Sequence, residues 1–251
     1  MARKRKLNRD NKTESKKIRK SPYFSKTDDA NNPSDKCKTR LKASFYNQPC
    51  IKLAKALLGQ RLVRLLDTGE RVSGSIVETE AYLGHEDSAC HTYQGRRSDK
   101  VEAMYMTPGT CYVYLIYGMY HCLNISSKGD GQAVLIRALE PIEGLPTIRK
   151  HRDKRRKNPS KELRLKDLCS GPGKLTESLA ISKSEINGMN LASSQQIWIE
   201  DGEMEVTEEN IVACPRIGID YATPEWIQKP LRFYVKENTC ISKRNKDAEK
   251  E

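Results

Sequence analysis

The run Val77-Glu78-Thr79-Glu80-Ala81-Tyr82 holds the residue types with the most chemistry to offer. Its alternation predicts a β-strand, in which residues two apart point to the same side. Glu78, Glu80 and Tyr82 then share one face, opposite Val77, Thr79 and Ala81. If that face is buried, a carboxylate pair suits proton abstraction from water or the stabilisation of a developing positive charge. The other reading is a solvated strand face, which the pattern taken alone favours. The loop that follows, Gly84-His85-Glu86-Asp87-Ser88-Ala89-Cys90-His91, adds polar groups that can converge on the end of the strand. A lone histidine such as His91 is usually structural.

A second feature is the stretch from Thr110 to Ser126, whose arms are rich in β-branched and aromatic residues. It predicts a hairpin, with Gly118-Met119 as the connection because glycine at the first central position suits a type II′ turn. Tyr117, Met119 and Tyr120 then cluster at a tip that is normally polar, so they need a partner to cover them. Stacked bases fit that role in a basic chain. A core hairpin folded under another element is the alternative.

The elements that must position these residues follow from composition and pattern. The chain has 251 residues, 37% of them apolar, and a formal net charge of +12. Residues 1–42 hold fifteen Lys or Arg against five Asp or Glu, so nearly all the net charge lies there. With few apolar residues, that segment predicts a disordered basic tail, followed by a single domain over 43–238 and a charged C-terminal tail over 239–251. Two basic clusters, Arg3–Lys6 and Lys16–Lys20, suit a bipartite nuclear address or contact with phosphates; a merely solubilising tail is the alternative. No apolar leader or spanning segment is evident, which predicts a soluble, intracellular, non-membrane protein, and the basic clusters make the nucleus its expected location. The eight cysteines include no CxxC pair and read as buried free thiols. With four scattered histidines as well, no metal site is expected.

A helix is predicted over Ile51–Leu58, stopped by Gly59, and strands over Gln60–Leu66 and Val72–Tyr82 joined by Asp67-Thr68-Gly69. Ala133–Leu139, Ile197–Ile199, Val212–Ile219 and Leu231–Val235 read as further strands. Helices are predicted over Glu143–Arg152 and Lys174–Leu179, with an exposed basic loop at Lys154–Pro159. Short links between antiparallel neighbours predict an α+β meander rather than βαβ units.

Five blocks in order, IVETEAYLGHEDSACH, MYMTPGTCYVYLIYGMYHCLNIS, VLIRALEP, DLCSGPGKL and KPLRFYV, resemble the alkyladenine DNA glycosylase family, also called 3-methyladenine DNA glycosylase. The likeness runs from about Phe45 to Val235. It implies an α+β domain with a curved antiparallel sheet, a protruding hairpin and surface helices. It also implies a monofunctional enzyme that flips alkylated or deaminated purines out of duplex DNA and hydrolyses their N-glycosidic bond. The expected substrates are 3-methyladenine, 7-methylguanine, hypoxanthine and ethenoadenine. No metal or cofactor is implied. The expected partner is double-stranded DNA with damaged purines, met by a monomer, and downstream repair proteins are left unidentified.

By matched position, the resemblance makes Glu80 the general base, Arg137 the arginine beside the attacking water, and Ile217 the residue whose backbone carbonyl holds that water. Tyr82, His91 and Tyr114 match the walls around the flipped base, and Asn124 the residue that crowds the amine of guanine. Tyr117 matches the wedge that fills the vacated stack, with Met119 and Tyr120 beside it and Lys174 meeting a phosphate. Departures occur at His121 and Thr107, where the family commonly has an aromatic and a polar or basic residue, and in a longer Asp220–Pro224 loop. Two other readings stand beside the enzyme: a binder of distorted DNA that does not cut, and a basic nuclear RNA-binding protein. A lyase step through a lysine also stays open.

Overall fold

A computed structural model describes residues 39–156 and 161–250. Eight strands form one antiparallel sheet: β1 (Arg61–Leu65), β2 (Arg71–Tyr82), β3 (Cys111–Ile116), β4 (Tyr120–Ser126), β5 (Ala133–Glu143), β6 (Ile197–Glu200), β7 (Ile211–Cys214) and β8 (Arg232–Val235). Their order is β3-β4-β5-β2-β1-β6, and β8 pairs with both β2 and β7. The seven α-helices of the described residues are α1 (Ala43–Tyr46), α2 (Cys50–Ala56), α3 (Leu145–Asp153), α4 (Leu165–Leu168), α5 (Pro172–Ser178), α6 (Lys183–Ile186) and α7 (Pro224–Gln228). The architecture is α+β, as the resemblance implied.

The expected simple meander is corrected in one respect. β3, β4 and β5 do follow one another, but β5 then lies against β2 rather than extending a chain of consecutive neighbours. This makes β2 the spine of the sheet. β5 runs along one edge of it, while β1 covers Arg71–Ser75 and β8 covers Glu78–Glu80 on the other.

The local signals mostly act where they stand. Asp67-Thr68-Gly69 joins β1 to β2, with Gly69 N–H donating to the Leu66 carbonyl at 2.8 Å and Gly69 at φ +80°. α2 buries Leu53 and Ala54, with Leu57 just beyond, but Ile51 is left exposed rather than on the apolar face. Gly59 follows at φ +83°, and a Cβ there would come within 2.6 Å of the Met204 carbonyl oxygen. Only glycine meets both demands.

Several predicted bounds shift. The helix expected from Glu143 begins at Leu145, because Glu143 ends β5 and Gly144 is left-handed. The strand expected over Val212–Ile219 stops at Cys214: Pro215 has no N–H for the ladder, and Gly218 has φ +75°. Of the expected Lys154–Pro159 loop, only 154–156 is described. The basic tail lies outside the described residues up to position 38, but the packed region begins before Ala43. Leu41 is buried and its N–H donates to the Ile199 carbonyl at 2.8 Å.

The core lies between the sheet and the helices. Leu53 and Leu57 meet Ile76, Ile136 and Leu139 of the two long strands there, with Leu175 of α5 in the same cluster. A smaller apolar cluster joins Val77, Ala138 and Tyr234 to Cys240 and Ile241. The C-terminal residues expected as a trailing charged segment are therefore packed on the sheet. The seven described cysteines are free and buried; Cys37 lies outside the described residues. Among the described residues no helix is long and apolar enough to cross a membrane.

Candidate active site

With β5 on one edge and β8 on the other, the Glu78–Glu80 segment of β2 is interior, and both carboxylates are completely buried. The solvated-face reading of the strand is thereby overturned. The register between β2 and β5 runs Ile76↔Leu139, Glu78↔Ala138, Thr79↔Ile136, so Val77 and then Arg137 are each left unpaired. Bulges of this kind re-aim a side chain. Here Arg137 reaches both carboxylates, with Nη1 at 3.1 Å from Glu80 Oε1 and Nε at 3.3 Å from Glu78 Oε1. Arg232 Nη1 donates to the same Glu78 oxygen at 2.8 Å. Two carboxylates and two guanidiniums thus balance, as buried charges must. Burial pulls the Arg137 pKa down, but the charges of Glu80 and then Glu78 outweigh it and hold the guanidinium above its ordinary value.

Glu80 has two further partners. The Ile217 N–H donates to Oε1 and the Tyr82 hydroxyl to Oε2, both at 2.9 Å. A carboxylate has about four lone-pair sites, so with these three donors Oε2 keeps one free acceptor site. Burial, followed by the charge of Glu80, pushes the Tyr82 phenol well above its ordinary pKa and keeps it a donor. For Ile217, the geometry supplies a backbone N–H to Glu80, a role the resemblance did not assign.

In front of this cluster lies a cavity of about 270 Å³ whose lining includes Tyr82, His91, Tyr114, Asn124, Arg137 and Ile217. Six of the seven residues assigned to catalysis or base binding therefore share one chamber, and Glu80 lies directly behind three of them. The β3–β4 pairing accounts for one wall. Tyr112 stands opposite Asn124 and Tyr114 opposite Cys122, and period-two alternation brings all four to the cavity. The Tyr112 and Tyr114 rings stack at 5.4 Å, and His91 meets Tyr114 edge-on at 4.7 Å. His91 Nδ1 shares a 2.8 Å hydrogen bond with the Tyr112 hydroxyl, and Asn124 Nδ2 donates to the Tyr112 carbonyl at 3.1 Å. Loss of solvation among these rings lowers the His91 pKa below the ordinary 6.5.

Tyr117, Met119 and Tyr120 stand at the hairpin tip, where Tyr117 is 86% exposed. The core-hairpin alternative fails on that exposure. The turn differs from the expected type II′ at Gly118-Met119: Ile116 pairs with Tyr120, Met119 N–H donates to the Ile116 carbonyl, and the central residues are Tyr117 (φ +51°) and Gly118 (φ +67°). Two positive φ values are the signature of type I′. A tyrosine there is strained, so the turn holds its largest side chain outward at a local energetic cost. Arg155 donates to the Met119 carbonyl and lies 5.6 Å from the Tyr120 ring, so the base of the tip is cationic. Lys174 is exposed on α5, with Nζ 3.4 Å from Ser170 Oγ, and Pro172 of the same helix lines the cavity.

Sequence reading missed three groups. Asp87 and Arg216 form a bidentate pair at 2.6 and 2.8 Å with both side chains fully buried, linking the His91 loop to the Ile217 loop. Tyr112 buttresses the walls, and its i, i+2 spacing from Tyr114 was a usable signal. Ser242 caps Glu78, for which no local signal exists. The Asp220–Pro224 loop places the Tyr221 hydroxyl 2.9 Å from the Ala89 carbonyl, at the cavity.

A model of the methylpurine-DNA glycosylase family matches residues 44–239. The human DNA-3-methyladenine glycosylase is 50% identical over 214 residues, which cover 85% of this chain and 71% of that protein. The probable DNA-3-methyladenine glycosylase of Encephalitozoon cuniculi is 48% identical, covering 77% of this chain and 88% of its own. A putative 3-methyladenine DNA glycosylase of Clostridium perfringens is 45% identical across 82% of this chain and its own full length. A family model that spans most of the chain, and relatives 45–50% identical across most of their own length, show that the chain belongs to the methylpurine-DNA glycosylase family and is a DNA N-glycosylase.

Proposed function

We propose that this enzyme flips alkylated and deaminated purines, among them 3-methyladenine, 7-methylguanine, hypoxanthine and ethenoadenine, out of duplex DNA and hydrolyses their N-glycosidic bond. It acts as a monomer, in the nucleus, and leaves an abasic site. The observation that carries the reading is the junction of Glu80, Arg137 and Ile217 at the back of a chamber walled by Tyr82, His91 and Tyr114. Extruding a base costs a few kcal/mol, and each base–aromatic stack returns about 1–3 kcal/mol without reading sequence. Tyr117 fills the gap left in the duplex, while Met119, Tyr120 and Lys174 meet the DNA beside it.

Departure of the base builds positive charge on the sugar, which a nearby carboxylate stabilises while it deprotonates water. Glu80 takes that proton at the free acceptor site of Oε2. Arg137 and the Ile217 N–H fix Oε1, so the carboxylate meets the water in one orientation. Asn124, held by Tyr112, excludes the exocyclic amine that only guanine carries on its minor-groove edge. A second reading, a lesion binder without cleavage, is favoured by one observation, the full burial of Glu80.

A duplex with a single lesion, incubated with enzyme and treated with alkali, decides between them. Strand scission at the lesion with wild-type protein and none with Glu80→Gln, at unchanged lesion affinity, is the expected result. Activity retained by Glu80→Gln would refute the assignment, and trapping of a covalent adduct by borohydride would replace the hydrolytic route with a lyase.

A further inference from the structure

The segment Cys240–Asn245 lies just past the residues matched by the family model and straps the rear of the carboxylate cluster. Ser242 makes two contacts with Glu78: its N–H donates to Oε2 at 2.5 Å and its hydroxyl lies 2.9 Å from Oε1. The same hydroxyl is 3.4 Å from Arg137 Nη2. Every nitrogen of the Arg137 guanidinium is therefore tied: Nε to Glu78, Nη1 to Glu80 and Nη2 to the strap. Arg232 extends the connection, since it donates to Glu78, to the Lys243 carbonyl and to the Pro215 carbonyl two residues before Ile217. Cys240 and Ile241 hold the strap down by burial beside Tyr234.

We propose that Ser242 is a positioning residue of the excision reaction, acting through Glu78 and Arg137 on Glu80; this rests on the roles of Glu80 and Arg137 proposed above. Glu78 does no proton transfer. It is the fixed anion that sets where Arg137 sits, and Ser242 fills the acceptor sites on Glu78 that would otherwise draw Arg137 away from Glu80. Without the hydroxyl, Glu78 Oε1 competes for the guanidinium and Nη2 loses its tether. Arg137 then leans toward Glu78, and Glu80 loses the contact that orients it.

The test is single-turnover excision of ethenoadenine from duplex DNA, measured with lesion affinity and thermal stability for wild type, Ser242→Ala, Ser242→Thr and Glu80→Gln. A misplacement of 1 Å at a catalytic centre costs about a hundredfold, and a fraction of that shift gives an expected loss of about tenfold in rate for Ser242→Ala. Affinity and Tm should stay near wild type, and Ser242→Thr should restore the rate. A wild-type rate for Ser242→Ala overturns the proposal, as does a parallel fall in rate, affinity and Tm that threonine does not rescue. An active Glu80→Gln would instead overturn the reading of the site, whatever Ser242 does.

Discussion

Removal of Asp87 tests how the two loops of the chamber are held together. Its Oδ2 accepts from Arg216 Nη1 and from the Leu83 N–H, and its Oδ1 from Arg216 Nη2 and the Ala89 N–H, at distances of 2.6 to 3.0 Å. Arg216 also donates to the Ala81 carbonyl at 2.9 Å and stacks 4.6 Å from the Tyr82 ring. Asp87→Ala leaves a guanidinium buried without its counter-charge and deprives the buried Ala89 N–H of its acceptor. Breaking such a pair from one side costs about 3–5 kcal/mol, and the orphaned N–H places this case at the upper end. Against a total stability of about 5–15 kcal/mol this is a large share. At about 2–4 °C per kcal/mol for a domain of this size, Tm should fall by roughly 10–20 °C. Urea unfolding followed by the fluorescence of Trp198 and Trp226 measures the loss of free energy, and a thermal melt the fall in Tm. The double variant Asp87→Leu with Arg216→Met should recover the part of the loss that comes from the unpaired guanidinium, because apolar residues can replace a buried ion pair at little cost, while the Leu83 and Ala89 N–H groups still lack their acceptor. A single variant within about 1 kcal/mol of wild type, or a double variant no better than the single, would refute the reasoning.

Other perturbations follow from the same geometry. Tyr117→Ser, at an exposed position, should change stability by no more than about 0.5 kcal/mol. It should impair excision more for ethenoadenine paired with thymine than for the same base in single-stranded DNA, and equal impairment on both would remove the wedge role. Asn124→Ser should raise the release of undamaged guanine while hypoxanthine release persists; unchanged guanine release would free Asn124 of that duty. Because the folded His91 has a pKa below 6.5, the unfolded chain binds its proton more tightly. Its stabilising contribution is complete above pH 6.5 and lost as pH falls toward the lowered folded value. His91→Gln should flatten that limb of a Tm–pH curve, and an identical curve would show that the imidazole is not desolvated.

Local physics made much of this protein legible before any fold was known. Strand periodicity alone placed Glu78, Glu80 and Tyr82 on one face, and the Tyr82 hydroxyl indeed meets Glu80. Alternating aromatics and a central glycine marked the hairpin, Asp67-Thr68-Gly69 its smaller counterpart, and Gly59 the end of α2. These features depend on neighbours within a few residues, so they are written into the chain. The central residues of the hairpin turn were not, because they depend on the register of Ile116 against Tyr120. A shift of one residue along the strand moved the left-handed positions onto Tyr117 and Gly118.

Burial of the carboxylates was decided only in three dimensions. β5 and β8 reach the two edges of β2 from positions more than fifty residues away, and the bulge that turns Arg137 toward both glutamates exists only in that pairing. The charges that neutralise Glu78 come from Arg137 and Arg232, with neutral hydrogen bonds added by Ser242, and those that fix the loop walls come from Asp87 and Arg216. An ion pair between distant residues leaves no periodicity in the sequence. The chain by itself specified which chemical groups were present and which way they faced along each strand; tertiary pairing removed the water and set the distances that let them act on one another.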